Sequence, residues 1–223
     1  MVRFLRLVVC CACLHGAAFI VATTGGFAQD TTKNATDTPV ILFFGDSLTA
    51  GYGIEPAQAF PALIQEKIHA RGWKFRVVNA GLSGETTAGG LRRIDWVLQR
   101  PIAVFVLELG ANDGLRGLPV AAAQQNLQAI LDRVRQKYPQ VNVIMAGMQA
   151  PANLGPDYTS RFRSIFAELA TANNAALIPF LLDGVAGEPA LNLPDGIHPT
   201  AAGHKYVAEN VWKVLEPVLQ ALQ

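Results

Sequence analysis

The chain contains the stretch Val40-Ile41-Leu42-Phe43-Phe44-Gly45-Asp46-Ser47-Leu48, in which five apolar residues run directly into a glycine and two polar residues. Short, unbroken apolar runs rich in β-branched and aromatic residues are typical of strands buried on both faces, as in parallel sheets. The residues that follow such a run would lie beyond the carboxyl end of a strand, where open α/β sheets bind their ligands.

Four further apolar runs follow along the chain and are similar to the first in length and character. They are Phe75–Val78, Ile102–Leu109, Val141–Met145 and Ala176–Phe180. Between and after these runs, apolar residues recur at intervals of three and four, the spacing of one face of a helix. The helical stripes are Phe60/Leu63/Ile64/Ile68, Leu91/Ile94/Val97/Leu98, Leu127/Ile130/Leu131/Val134, Phe162/Ile165/Phe166/Leu169 and Val207/Val211/Val214/Val218. Five β-then-α units predict an α/β fold, a three-layer α/β/α sandwich around a five-stranded parallel sheet.

Composition and charge restrict the kinds of partner. The 223 residues are 51% hydrophobic and 16% charged, with 18 lysines and arginines against 17 acidic residues. This composition excludes a disordered charged chain and a low-complexity fibre. A net charge of +1 argues against nucleic acid or an anionic membrane as the main partner, because both require a large basic surface. We expect a small-molecule substrate and no nucleic acid; the sequence leaves the oligomeric state open, with a monomer as the default.

Residues 1–28 are predicted to be a secretory signal peptide. Arg3 and Arg6 precede a mostly apolar run from Leu7 to Ala22, and the small residues near Ala28 suit cleavage after that position. The alternative, a transmembrane anchor, needs about 20 uninterrupted apolar residues, more than this run provides. We therefore expect a periplasmic or secreted protein with no stable membrane insertion after signal removal.

Residues 29–38 are polar and rich in threonine, which predicts a flexible leader before a single folded domain over residues 39–223. All three cysteines, Cys10, Cys11 and Cys13, lie in the predicted signal. They leave a lipoprotein signal open, although no typical leucine-to-small-residue triplet precedes them. The mature chain would contain no disulfide, no cysteine nucleophile and no thiolate metal site.

Polar, glycine-rich segments follow several of the predicted strands. They are Gly45–Leu48, Asn79–Thr86, Gly110–Gly114 and, before the last helix, Asp195–Pro199. If the sheet is parallel, these segments converge on one edge and bring together a serine, a histidine, an aspartate and several N–H donors. Acyl transfer needs such a set. Each residue alone also has an ordinary structural interpretation, such as Ser47 capping a helix or Asp195–Gly196 forming a turn.

Other familiar motifs are missing from the sequence. There is no G-x-S-x-G elbow of an α/β-hydrolase, no Walker A sequence and no H-E-x-x-H zinc pattern. Gly51-Tyr52-Gly53 lacks the third glycine of a dinucleotide fingerprint, and His69 is expected on the surface of a helix. We accordingly expect no metal and no cofactor.

The serine and histidine segments suit each other chemically. A serine hydroxyl is a weak nucleophile at neutral pH and needs an adjacent base, and histidine, with an ordinary pKa of ~6.5, suits that role. Asp195 and His198 are close enough in sequence for one turn to present their side chains to each other.

Together the segments resemble the SGNH (GDSL) hydrolase family, in particular its bacterial thioesterase I, lysophospholipase and arylesterase branch. The similar blocks are Gly45-Asp46-Ser47-Leu48, Ser83-Gly84-Glu85-Thr86, Gly110-Ala111-Asn112-Asp113 and Asp195-Gly196-Ile197-His198-Pro199. The chain departs from the family pattern at Glu85, Ala111 and Leu154, where aspartate, glycine and tyrosine are more frequent.

The resemblance implies a flavodoxin-like fold and a carboxylic ester hydrolase. It assigns Ser47 as nucleophile, His198 as general base and Asp195 as the residue that orients His198. It also implies an oxyanion hole formed by the backbone N–H groups of Ser47 and Gly84 and the side-chain amide of Asn112.

The expected substrates are acyl esters or thioesters. Leu115, Met148 and Leu154 are candidates to line an apolar groove for the acyl chain, although the same three residues could simply fill the core. A carbohydrate O-deacetylase on the same scaffold and a non-catalytic binding protein remain as alternatives.

Overall fold

The computed structural model describes residues 38–223, so the predicted signal peptide and all of the leader except Thr38 lie outside the described residues. Five strands form one sheet, and each hydrogen-bonded pair in it is parallel. The strands are β1 (Val40–Gly45), β2 (Arg76–Gly81), β3 (Val104–Glu108), β4 (Asn142–Ala146) and β5 (Ala176–Ile178). Their order across the sheet is β2-β1-β3-β4-β5, which confirms the predicted five-stranded parallel sheet.

Helices cover both faces of this sheet. They are α1 (Ser47–Ala50), α2 (Phe60–Ala70), α3 (Thr87–Val97), α4 (Ala111–Leu115), α5 (Val120–Lys137), α6 (Pro156–Ala172) and α7 (Ala201–Gln220). Helices α3, α5 and α6 contact one another in series, and α2 contacts α7, which gives the two outer layers of the sandwich. Short 3₁₀ turns occupy Pro56–Gln58, Ala152–Leu154 and Pro189–Leu191. Within residues 38–223, no helix has both the length and the apolar character needed to cross a bilayer.

The apolar stripes predicted for the helices face the sheet, with one adjustment in α7. Val207 and Val211 are buried as predicted, but the stripe continues through Leu215 and Leu219, whereas Val214 is only half-buried. A step of four residues slightly exceeds one helical turn, so the buried stripe turns gradually around α7, which contacts α2, β4 and β5. Val214 and Val218 lie beside this stripe and pack against the core from its edge.

Strand β2 differs from the prediction. It continues to Gly81 instead of ending at Val78, and it is partly exposed because it forms one edge of the sheet. The register pairs Gly45 of β1 with Gly81 of β2 and with Glu108 of β3. Three strands therefore end at the same level, and the loops that follow them start side by side.

Strands β3 and β5 are shorter than predicted. The ladder of β3 leaves out Ile102 and Leu109, and β5 ends at Ile178. Pro179 follows β5 and has no N–H to donate to a ladder, which explains why pairing stops there.

Candidate active site

Ser47 lies at the start of α1, immediately beyond β1, and is 7% exposed. Its predecessor Asp46 caps the helix: the Asp46 Oδ1 accepts a hydrogen bond from the Leu48 N–H at 3.0 Å. The ordinary interpretation of Ser47 as the helix cap is therefore wrong. Because Asp46 takes that role, the Ser47 hydroxyl is available to another partner.

That partner is His198, 151 positions away along the chain, in the loop before α7. The Ser47 Oγ lies 2.9 Å from His198 Nε2, and His198 Nδ1 lies 2.7 Å from Asp195 Oδ2. The other oxygen of Asp195 accepts from the backbone N–H groups of Ile197 at 2.9 Å and of His198 at 3.0 Å.

The charge of Asp195 determines which imidazole nitrogen carries the proton. The backbone hydrogen bond from His198, followed by the one from its side chain, lowers the pKa of Asp195 to about 2. The carboxylate is therefore ionised at neutral pH and can only accept. In a neutral imidazole, Nδ1 must then carry the proton, and Nε2 accepts from the Ser47 hydroxyl.

The three expected oxyanion donors differ in whether they already donate hydrogen bonds to other groups of the protein. Gly84, in the loop after β2, has a φ of +80°, a left-handed conformation that favours glycine. Within residues 38–223, the backbone N–H groups of Ser47 and Gly84 donate to no acceptor. In contrast, the Asn112 Nδ2 lies 3.2 Å from Asp46 Oδ2 and 3.1 Å from the Glu85 carbonyl oxygen. Both amide hydrogens of Asn112 are thus engaged, and a substrate oxyanion would have to share one of them.

Two carboxyl groups are buried behind Ser47. Glu108 Oε2 accepts from the Thr49 hydroxyl at 2.6 Å and from the Asp46 N–H at 3.2 Å. Its Oε1 has no hydrogen-bond partner in the described part of the chain. Burial raises the pKa of Glu108 well above its usual range and raises the pKa of Asp46 to about 6. Burial therefore favours the protonated form of the Glu108 carboxyl over the ionised form.

Glu108, Arg93 and Asp113 were missed by the sequence reasoning. Arg93 forms an ion pair with the buried Glu85, and Asp113 accepts from the N–H and hydroxyl of Thr87 at 2.8 and 2.7 Å. The signal available for Glu108 was a charged residue inside an otherwise apolar strand. Arg93 resembled an ordinary surface charge, because nothing in its local sequence indicated a buried partner. Asp113 belongs to the Gly110–Asp113 block, but no role was predicted for it.

A pocket of about 460 Å³ opens at Ser47, and its lining includes Asn112 and His198. Of the candidate groove residues, Leu115 and Met148 line this pocket, whereas Leu154 lies outside it. Further apolar lining comes from Ala150, Pro151, Phe180 and Leu182. Among residues 38–223, no group of three or more histidine, cysteine, aspartate or glutamate side chains is arranged to hold a metal ion.

Residues 43–206, which include Ser47, Gly84, Asn112, Asp195 and His198, match the sequence pattern of the GDSL-like lipase/acylhydrolase family. The chain belongs to this family. Its fold and its relatives identify it as a carboxylic ester hydrolase.

Relatives in the GDSL-like family align over most of the chain. Esterase TesA of Pseudomonas aeruginosa is 41% identical over 181 residues, which cover 80% of this chain and 89% of the relative. Thioesterase 1/protease 1/lysophospholipase L1 of Escherichia coli (strain K12) is 35% identical over 189 residues, 84% of this chain and 88% of the relative. The psychrotrophic esterase EstA from Pseudoalteromonas sp., in a structure inhibited by monoethylphosphonate, superimposes with a TM-score of 0.76 at 33% identity, covering 81% of this chain and 98% of EstA.

Proposed function

We propose that the chain hydrolyses acyl esters and thioesters by covalent catalysis, with Ser47 as nucleophile, His198 as general base and Asp195 as the residue that orients His198. The observation that carries the proposal is the continuous line of hydrogen bonds, 2.7 Å from Asp195 to His198 and 2.9 Å from His198 to Ser47. A general base must lie within hydrogen-bond reach of the proton it removes, and His198 meets this requirement.

In the first step, the Ser47 Oγ attacks the carbonyl carbon while His198 Nε2 takes the hydroxyl proton. The carbonyl oxygen becomes an oxyanion that accepts hydrogen bonds from the N–H groups of Ser47 and Gly84 and from the Asn112 amide. The bond to the leaving group then breaks, and His198 gives its proton to the departing alkoxide or thiolate. The acyl group remains on Ser47 as an ester.

In the second step, a water molecule attacks the acyl-Ser47 ester and transfers a proton to His198. When the second tetrahedral intermediate collapses, the bond to Ser47 Oγ breaks, His198 returns the proton to Ser47, and the carboxylic acid leaves. Asp195 stays ionised throughout and stabilises each imidazolium as it forms. None of these steps requires a metal or a cofactor.

The pocket lining supports an acyl chain as the group bound beside Ser47. Leu115 and Met148 lie among other apolar lining residues, so a longer chain would bury more apolar surface than an acetyl group. The names of the relatives, which include esterase, thioesterase and lysophospholipase, support the same substrate class.

A panel of p-nitrophenyl esters of increasing chain length, together with an acyl-CoA, a lysophospholipid and an acetylated sugar, tests this substrate class. We expect kcat/KM to rise from acetyl to longer acyl esters. A preference for the acetylated sugar would favour the O-deacetylase instead.

We further propose that the enzyme is exported to the periplasm or beyond and acts there on small molecules, without nucleic acid. The support comes from the basic and apolar character of residues 1–28 and from the near-zero net charge.

The nucleophile is tested by Ser47→Ala together with a fluorophosphonate probe. The substitution should lower kcat toward p-nitrophenyl butyrate by roughly 10⁴–10⁶ while the fold is retained, and the probe should no longer label the chain. Ser160→Ala, which removes an exposed serine of α6, is the matched control and should keep both activity and labelling. Turnover retained by Ser47→Ala would remove Ser47 from its role. An unmodified, folded chain that the probe does not label would indicate a binding protein.

A further inference from the structure

The turn Gly51–Gly53, which directly follows α1, is hydrogen-bonded to the backbone of Ser47. The N–H groups of Gly51 and Tyr52 both donate to the Ser47 carbonyl oxygen at 3.0 Å. Gly51 and Gly53 each have a φ of +78°, so two left-handed residues flank Tyr52 and set the direction of its side chain. The motif that matched no dinucleotide fingerprint therefore has a structural role beside Ser47.

The ring of Tyr52 packs on the imidazole of His198. The two ring centroids lie 4.5 Å apart, and the ring planes are inclined by 41°. The two nitrogens at the edge of the imidazole form hydrogen bonds, Nδ1 with Asp195 and Nε2 with Ser47. Tyr52 instead contacts a face of the imidazole, so it limits tilting of the ring without competing for either hydrogen bond.

Gly53 makes a second contact with the loop that carries His198. A Cβ atom on Gly53 would lie 2.5 Å from Leu193 Cδ1, so a larger residue at this position would force the Leu193 side chain to move. The Leu193 N–H in turn donates to the His198 carbonyl oxygen at 2.7 Å. The turn thus contacts the His198 side chain directly and supports its backbone through Leu193.

We propose that Tyr52 is a positioning residue: its ring keeps the His198 imidazole in line between Ser47 and Asp195 and stabilises the imidazolium formed on proton transfer. This inference rests on the proposed function. The face of an aromatic ring attracts a cation within about 6 Å of its centre. Because the imidazolium forms only after Ser47 has given up its proton, this attraction is stronger in the transition state than in the resting enzyme, which raises kcat.

Tyr52 lies outside the pocket at Ser47. The residue is 52% exposed and is not among those that line the pocket. A substitution there should consequently act through His198 and change kcat while leaving KM unchanged.

Among residues 38–223, the titratable groups that interact electrostatically with His198 include Asp195, Asp46 and His204. Asp195 accepts its Nδ1 hydrogen bond, Asp46 is buried next to Ser47, and His204 lies on α7. Burial, and to a smaller extent the charge of His198, lowers the pKa of His204 to about 4, so it is neutral at the pH of the assay. All three remain in place in a Tyr52 variant, so a change in pH dependence would report on the ring itself.

The test compares Tyr52→Leu, which removes the aromatic face, with Tyr52→Phe, which keeps it. With p-nitrophenyl butyrate, Tyr52→Phe should stay within about 2-fold of the unmodified enzyme, whereas Tyr52→Leu should lose about 2- to 10-fold in kcat at constant KM. In Tyr52→Leu, the midpoint of the acid side of the kcat/KM pH profile should move down by roughly 0.3 to 1 pH unit. A less stabilised imidazolium gives up its proton more readily.

Tyr206→Leu is the matched control, since Tyr206 is 53% exposed on α7, and it should change neither kcat nor the pH profile. If Tyr52→Leu does not fold, Tyr52→Met provides a second variant without a ring. The proposal is overturned by an unchanged kcat and pH profile, by an effect confined to KM, or by a Tyr52→Phe variant as impaired as Tyr52→Leu. Fluorophosphonate labelling of Ser47 in the unmodified enzyme is measured alongside; its absence would overturn the proposed function rather than the role of Tyr52.

Discussion

The Asn112 amide donates to the Asp46 carboxylate and to the Glu85 carbonyl oxygen before any substrate is bound. These two acceptors fix the orientation of the amide, because its own oxygen would repel both of them if the group were turned over. A developing oxyanion carries more charge than a neutral carbonyl oxygen and can compete for one N–H as the reaction proceeds. In the proposed mechanism, Asn112 is therefore oriented in advance, and its hydrogen bond to the substrate oxygen strengthens at the transition state.

This arrangement predicts the effect of Asn112→Ala. The substitution should lower kcat by roughly 10²–10³ and change KM much less, because the lost hydrogen bond is made to the oxyanion. Steady-state kinetics on p-nitrophenyl butyrate measure both constants, with Asn153→Ala, an exposed asparagine, as the control. A kcat within a few-fold of the unmodified enzyme would argue against an oxyanion role for Asn112.

The buried Glu108 side chain accepts hydrogen bonds from the Asp46 N–H and the Thr49 hydroxyl, which flank Ser47 and Leu48. Glu108→Gln keeps an acceptor for the Asp46 N–H and the Thr49 hydroxyl, and we expect near-normal kcat and Tm. Glu108→Leu leaves both donors without a partner in a buried site and should destabilise the fold by about 2–5 kcal/mol, with a lower kcat. Urea unfolding and kinetics on both variants provide the measurement. If Glu108→Gln is as impaired as Glu108→Leu, the segment depends on an ionised carboxylate.

At the scale of elements, helix α7 provides a hydrogen-bond acceptor for the N-terminus of helix α2. The first residues of α2 have N–H groups with no partner inside the helix, and the His204 Nδ1 on α7 accepts from the Phe60 N–H at 3.1 Å. His204 is 1% exposed, and its ring stacks at 6.1 Å on that of Phe60. This contact joins the two helices of one outer layer and requires an unprotonated Nδ1.

The α2–α7 contact should make stability depend on pH. Burial lowers the pKa of His204 from 6.5 to about 4, so the unfolded chain binds the proton more readily between these values. Stability from this group is complete above pH 6.5 and falls as the pH drops toward 4, by roughly 3 kcal/mol in total. His204→Asn, whose Oδ1 can accept from the same N–H, should show a weaker decline.

Urea unfolding at several pH values between 7 and 4 measures this difference. The raised pKa values of Asp46 and Glu108 act in the opposite direction, because a group that binds protons more readily when folded favours the folded state on acidification. Their contribution is common to both proteins and cancels in the comparison. His69→Asn, which alters an exposed histidine of α2, serves as the control and should reproduce the unmodified curve. Parallel curves for the unmodified protein and His204→Asn would contradict the prediction.

At the scale of the whole molecule, residues 38–223 contain every residue of the proposed site, so loss of the predicted signal should leave the enzyme intact. We expect the full chain, expressed in a bacterial host, to be recovered outside the cytoplasm with Gln29 as its first residue. Ala28→Lys should block this cleavage, because signal processing requires a small residue at that position. N-terminal sequencing of the recovered protein provides the test, and an exported protein that still begins at Met1 would count against a cleaved signal.

Much of this architecture could be predicted because the signals are local. Apolar runs such as Val40–Phe44 and helical stripes such as that of α2 follow from which faces must be buried, and the structure places them accordingly. The predicted ends of β2 and β5 were less accurate. The edge position of β2 and the proline that follows β5, Pro179, alter strand pairing without changing the apolar pattern.

The sequence by itself determined the order of the strands and helices and the residue types at each strand end, because periodicity and glycine-rich breaks are properties of neighbouring residues. Only the tertiary structure decided which of these residues meet. It placed His198 against Ser47, engaged both hydrogens of Asn112, set Tyr52 on the imidazole and left Leu154 outside the pocket. Such contacts depend on strand register and on how closely distant loops approach, and these distances result from packing the whole chain around one core.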